Sequence, residues 1–120
     1  METLLIIGGF PSRDILQMLA KNWALMFVKE LPERLPDGLD AILVWDRGGD
    51  TWITILNLRV WTDVLIAVVV GIPRSGIGVL RAVDAGADIF LDTGVSGKEW
   101  MARICAAMQR VHAERHHWGA

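Results

Sequence analysis

Residues 80–100 read Leu-Arg-Ala-Val-Asp-Ala-Gly-Ala-Asp-Ile-Phe-Leu-Asp-Thr-Gly-Val-Ser-Gly-Lys-Glu-Trp. In that order they predict a helix end, a glycine stop, a short buried strand, a glycine turn and a helix start. Gly86 closes the helix that carries Leu80 and Val83, because a residue without Cβ enters the left-handed region at little cost. Residues 87–91 are expected to form the strand. Asp92, Thr93 and Gly94 then fall at its carboxyl end, where open α/β sheets place functional groups. Ser96 and Glu99 have capping-box spacing, in which the serine oxygen and the glutamate carboxylate each accept a bond from an orphan N–H at the helix start.

Working outward, residues 64–70 run without a polar interruption, as a strand does when helices cover both faces of a parallel sheet. Pro73, Arg74 and Ser75 turn the chain, with Ser75 placed to cap a helix reaching about residue 85. Downstream, residues 96 to about 112 place Trp100, Ile104, Ala107, Met108 and Val111 on one helical face. Cys105 on that helix is expected to be a small buried hydrophobe. Toward the amino terminus, residues 3–7 form a continuous apolar run that ends in Gly8, Gly9, Phe10 and Pro11, which suits a central strand and a tight loop. Ser12 is placed as an N-cap, and Ile15, Leu16 and Leu19 carry a helix to about residue 21. Residues 24–28 predict a second strand and residues 41–45 a third. Between those two, Pro32, Pro36 and Gly38 leave room for about one helical turn. Residues 51–60 contain β-branched residues that favour a strand, but Trp52, Ile55, Leu56 and Arg59 recur at helical spacing, and a helix is expected there. Strands alternating with helices, joined by short right-handed crossovers, predict an α/β fold: a doubly wound five-stranded parallel sheet with helices on both faces.

Length and composition set bounds on function. The 120 residues predict a single domain spanning residues 1–120, with a flexible tail from about residue 113. Hydrophobic residues make up 52% of the chain, but no apolar run approaches the roughly 20 residues of a membrane span. No secretory pattern opens the sequence. The single Cys105 can form no internal disulfide, so a cytoplasmic, reducing location is expected. With 12 basic and 14 acidic residues there is no basic footprint for nucleic acid, and direct nucleic-acid or membrane binding by this segment is not expected. No cofactor is expected. His112 and His116 stand one helical turn apart, but no carboxylate or cysteine completes a metal set, and a frayed tail is expected there. Asp92-Thr93-Gly94 matches the aspartic protease triplet, but that chemistry needs an all-β setting rather than a capping box and helix directly behind it. Six tryptophans, Trp23, Trp45, Trp52, Trp61, Trp100 and Trp118, are expected mostly in the core.

Ala85-Gly86-Ala87-Asp88, Phe90-Leu91 and Ala102-Arg103-Ile104, taken with residues 40–45 and 64–70, resemble the receiver domain of bacterial response regulators. The match in element order covers essentially the whole chain and is strongest from about residue 63. It implies the flavodoxin-like strand order 2-1-3-4-5. It also implies phosphoryl transfer from a histidine kinase to an aspartate. That chemistry needs an acidic pair after the first strand to hold Mg²⁺, an acceptor aspartate ending the third, a Ser or Thr after the fourth and a Lys after the fifth. Here Gly8 and Gly9 replace the acidic pair, Trp45 falls at the acceptor position with Asp46 one residue late, the hydroxyl position falls near Val70, and Thr93-Gly94 replaces the Lys-Pro dipeptide.

The resemblance therefore implies a degenerate receiver. We expect a non-enzymatic, phosphorylation-independent signalling and dimerisation module that controls an output such as transcription, through an output domain or partner protein. One alternative is a sensor of an anionic or phosphorylated small ligand, held at the strand carboxyl ends by Gly8, Gly9, Ser12, Arg13, Arg47, Arg74, Ser75 and Thr93. A second is a true phosphoacceptor at Asp46. In DNA-binding members the fourth helix, fifth strand and fifth helix often form a symmetric dimer. On that model Ile77, Leu80, Arg81, Asp84, Asp88, Arg103 and Arg110 are the expected homodimer residues.

Overall fold

A computed structural model describes residues 2–47, 50–71 and 76–119, with residues 76–80 and 115–119 described by backbone alone. Five strands, β1 (Thr3–Ile7), β2 (Ala24–Val28), β3 (Ala41–Trp45), β4 (Leu65–Val70) and β5 (Ile89–Asp92), form one parallel sheet in the order β2-β1-β3-β4-β5. The helices are α1 (Arg13–Asn22), α2 (Thr51–Trp61), α3 (Gly76–Ala85) and α4 (Gly97–Gly119). Fold class and strand order are as the sequence predicts.

The alternation of each strand divides the core in two. Leu4, Ile6, Leu43, Ala67, Val69 and Leu91 point to the face covered by α1 and α4, where they meet Ile15, Leu19, Trp100 and Ile104. Leu5, Ile7, Ile42, Val44, Ile66 and Val68 point to the face covered by α2 and α3, where Ile55, Leu58, Ala82 and Ala85 pack on them. The ambiguous 51–60 segment is helical because only that periodicity puts Ile55 and Leu58 together on the sheet.

No helix forms between β2 and β3. Pro32 and Pro36 remove backbone donors, and Gly38 takes a φ of +78°. Leu31, Leu35 and Leu39 of this connection lie against the α2–α3 side of the core in place of a helix. Edge strand β2 is correspondingly open, with Met26 and Phe27 each 39% exposed.

Gly86 is a helix stop with φ +117°, its N–H donating to the Val83 carbonyl while Ala87 N–H donates to Ala82, the paired bonds of a Schellman ending. Beside it, Arg59 closes the junction of four elements. Its guanidinium donates to the carbonyls of Gly86 (2.7 Å), Val64 (3.0 Å) and Thr62 (3.3 Å), and to Asp88 Oδ2 at 2.8 Å. The same Asp88 oxygen accepts the Ile66 N–H at 2.8 Å.

Several local expectations are corrected. Cys105 is exposed rather than buried, because it lies a full helical step off the stripe of Trp100, Ile104, Ala107 and Val111. The capping box is half formed: Glu99 N–H donates to Ser96 Oγ, but the Glu99 carboxylate binds Arg103 one turn on, at 2.9 Å. Ser12 holds the N-cap position of α1 without a side-chain cap bond. The final helix, expected to end at about residue 112, continues to Gly119 as α4. Among the tryptophans, Trp23 and Trp100 are buried, while Trp61 is 46% exposed.

Candidate functional site

The carboxyl ends of β1 and β3 converge with the start of α2. Gly8 takes φ +86°, a conformation glycine tolerates, and donates its N–H to the Val28 carbonyl of β2 at 2.9 Å. Its own carbonyl accepts Arg47 Nε at 2.8 Å, so the guanidinium from the end of β3 reaches across the end of β1. Arg47 N–H donates to Thr51 Oγ1 at 3.1 Å, and Thr51 Oγ1 donates to Asp46 Oδ1 at 2.9 Å. Asp46 is thus tied to the first residue of α2, with its N–H on the Val69 carbonyl at 2.8 Å.

Trp45 closes the other side. Its indole lies so near the chain at Gly9 that a Cβ there would come within 2.5 Å of Trp45 Cγ. Glycine at position 9 is what lets the ring approach the turn this closely. The Trp45 and Trp100 rings stand 6.0 Å apart, and Trp100 Nε1 donates to the Asp92 carbonyl at 2.8 Å. Two indoles therefore join the ends of β3 and β5 through α4.

A cavity of about 200 Å³ remains between Gly8, Arg47 and the start of α2, lined also by Lys29, Glu30, Asp50 and Thr51. Of the residues the sequence singles out for a ligand, Gly8 and Arg47 meet here, and Gly9 contributes its contact with Trp45. Ser12, Arg13 and Thr93 are exposed and do not line the cavity. Arg74 and Ser75 lie outside the described residues. Lys29, Glu30, Asp50 and Thr51 were not singled out in the sequence. Their signal was positional, since each directly follows a strand or opens a helix at the carboxyl edge of a parallel sheet.

The donor set does not fit the Mg²⁺ that the resemblance implies. A hard cation requires several oxygen ligands, and no group of three or more acidic, His or Cys side chains able to hold a metal occurs among the described residues. Where an acidic pair would stand, a glycine carbonyl already carries a guanidinium.

The expected dimer residues divide. Arg81, Asp84 and Arg110 are exposed. The side chains of Ile77 and Leu80 are outside the described set. Asp88, expected to offer its charge to a second copy, is 16% exposed and bound to Arg59, because its place before β5 puts it beside the α2 terminus. Arg103 pairs with Glu99 on its own helix.

Compared with known proteins, the chain matches no family model and no curated protein. Solved structures do match. A CheY-like response regulator receiver domain protein from Methanospirillum hungatei superposes with a TM-score of 0.75 at 12% identity, over 95% of this chain and 98% of that one. This chain has the receiver-domain fold. A two-component response regulator from Clostridium difficile gives 0.73 at 21% identity, over 92% of this chain and 98% of that one. An adenylate cyclase from Rhodopirellula baltica gives 0.78 at 16% identity, over 98% of this chain and 95% of that one. At these identities the receiver likeness is one of architecture, and the chemistry rests on the residues above. No helix among the described residues is long and apolar enough to cross a membrane.

Proposed function

We propose that the chain is a response-regulator signalling module that works through protein contacts, without phosphoryl transfer and without an enzymatic activity of its own. One observation carries the reading: Arg47 Nε rests on the Gly8 carbonyl at 2.8 Å, placing a permanent cation where a phosphorylatable receiver recruits one. Trp45 at the acceptor position offers no carboxylate, and Asp46 is bound to Thr51 at the α2 start. Exposed Ile53, Leu56 and Val60 on the outer face of α2 support a module that docks on other proteins, including an output domain that acts in transcription.

The test is incubation with acetyl phosphate and Mg²⁺ followed by intact-mass measurement. The expected result is no phosphoryl adduct. An adduct that disappears in Asp46→Asn would overturn the reading in favour of a true acceptor.

A second reading has its own observation. Lys29 and Arg47 both line the cavity at the strand ends, and neither forms a salt bridge among the described residues. Guanidinium and ammonium donors there suit an anionic small molecule. A thermal-shift screen with phosphate-bearing metabolites is expected to find a stabilising ligand whose effect is lost in Arg47→Gln. No stabilisation across a broad panel rejects this second reading and leaves the first intact.

A further inference from the structure

The sheet ends in two edge strands, and they are built differently. β5 is short and at least partly buried along its length, with Asp88 before it and Asp92 at its end. β2 reads Ala24-Leu25-Met26-Phe27-Val28 and pairs with β1 in unbroken register over five residues. Its connection to β3 supplies no helix, and Ala24, Met26 and Phe27 are exposed. Phe10, 74% exposed, stacks on the Phe27 ring at 5.1 Å, so two aromatics stand together at this edge. Open edges are guarded by charges, prolines or bulges, and β2 carries none of these devices.

The ladder to β1 fixes which backbone groups face outward. Ala24 N–H donates to the Glu2 carbonyl at 2.8 Å, and the Val28 carbonyl accepts the Gly8 N–H at 2.9 Å. In a parallel ladder alternate residues turn both N–H and C=O to the same neighbour. Residues 24, 26 and 28 therefore serve β1, while Leu25 and Phe27 present theirs to the open edge, where no hydrogen bond reaches them among the described residues. By the register with β1, the Leu25 and Phe27 side chains share the face of Leu4 and Ile6, and Met26 takes the opposite face.

We propose that β2 pairs antiparallel with β2 of a second copy of this chain, joining the two sheets across a two-fold axis at Met26. The register that gives every outward N–H and C=O a partner within the strand sets Leu25 of one copy opposite Phe27 of the other, twice, as an isologous interface requires. Leu25 and Phe27 then form apolar cross-strand pairs on one face, and the two Met26 side chains meet on the other. The charges at the strand ends agree with this order. Lys21 precedes β2 and Glu30 follows it, both exposed and neither in a salt bridge among the described residues. Antiparallel pairing brings the Glu30 end of each copy to the Lys21 end of the other, whereas parallel pairing would set like charges together. Phe10, Met26 and Phe27 leave roughly 300 Å² of apolar surface on each copy, which with the strand ladder suits a weak, reversible dimer. This edge lies at the other end of the sheet from the α3–β5–α4 face that the family resemblance suggests, and the pairing stands whether or not Asp46 accepts a phosphoryl group.

The test is sedimentation equilibrium on the full chain, with Met26→Lys and Met26→Glu each first checked for an unchanged thermal transition in dilute solution. A concentration-dependent dimer is expected for the wild type. Each variant alone sets like charges against each other on the axis and is expected to weaken the dimer roughly tenfold or more. Mixing the two variants is expected to restore association, because the heterodimer opposes Lys to Glu. Amide hydrogen exchange of the wild type supplies a readout without substitution: protection at Leu25 and Phe27 is expected to rise with protein concentration, while that at Met26, already bonded to β1, changes less. A wild type that stays monomeric, a dimer unmoved by both Met26 variants, or a dimer without added protection at Leu25 and Phe27 would overturn the proposal.

Discussion

Trp100→Ala is expected to lower the unfolding free energy by about 3–5 kcal/mol, the range for removing a large buried aromatic. Trp100 is fully buried in the α1–α4 half of the core and is among its largest side chains. The substitution opens a cavity between α4 and the sheet, and it also leaves the Asp92 carbonyl without the indole N–H that caps it at 2.8 Å. Trp45 loses its ring neighbour at the same time. Urea denaturation followed by far-UV circular dichroism measures the loss, with an unchanged m-value showing that the native state itself is weakened. Trp100→Phe keeps most of the volume and removes the donor, so it is expected to cost about 1–2 kcal/mol. Equal losses for the two variants would show that the hydrogen bond, not the packing, holds α4 in place.

Arg59→Ala is expected to cost about 2–3 kcal/mol, somewhat less than the ~3–5 kcal/mol of breaking a wholly buried pair, because the Arg59 and Asp88 side chains keep 20% and 16% exposure. For a domain of this size that corresponds to a fall of about 10 °C in the melting temperature. The loss goes beyond one ion pair: the end of α2, the start of β4 and the C-cap of α3 all give carbonyls to the same guanidinium. Arg59→Lys keeps the charge but not the planar fork, and is expected to recover less than half of the difference. Calorimetric melting of the three proteins checks this order. A Lys variant as stable as wild type would reduce the role of Arg59 to simple charge balance.

The sequence exposed the sheet because its signals are local and periodic. Residues 64–70 have no polar interruption, Gly86 falls where a helix must stop, and the 3.6-residue recurrence of Trp100, Ile104, Ala107 and Val111 fixes the face of α4. Arg59 was legible only as one more helical position, since its partners at residues 62, 64, 86 and 88 come together through the crossover. The pairing of Asp88 with Arg59 was hidden for the same reason: a charge before a short strand shows no partner until the neighbouring helix end arrives. At the candidate site Gly8 and Gly9 after the first strand and Asp46 after the third could be read directly. That Arg47 crosses to Gly8 could not, because the contact joins the ends of two strands that neighbour only in the sheet.

A dissolved metal ion occupies its site according to concentration and leaves at a finite rate, and an acyl phosphate eventually hydrolyses. The guanidinium on Gly8 does neither, being tethered to the chain by its own side chain. Its occupancy is independent of cellular magnesium and indifferent to chelators. On the proposed phosphorylation-independent reading, a domain wired in this way has no intrinsic timer, so the duration of its message would be set by how fast the protein is made, bound and degraded.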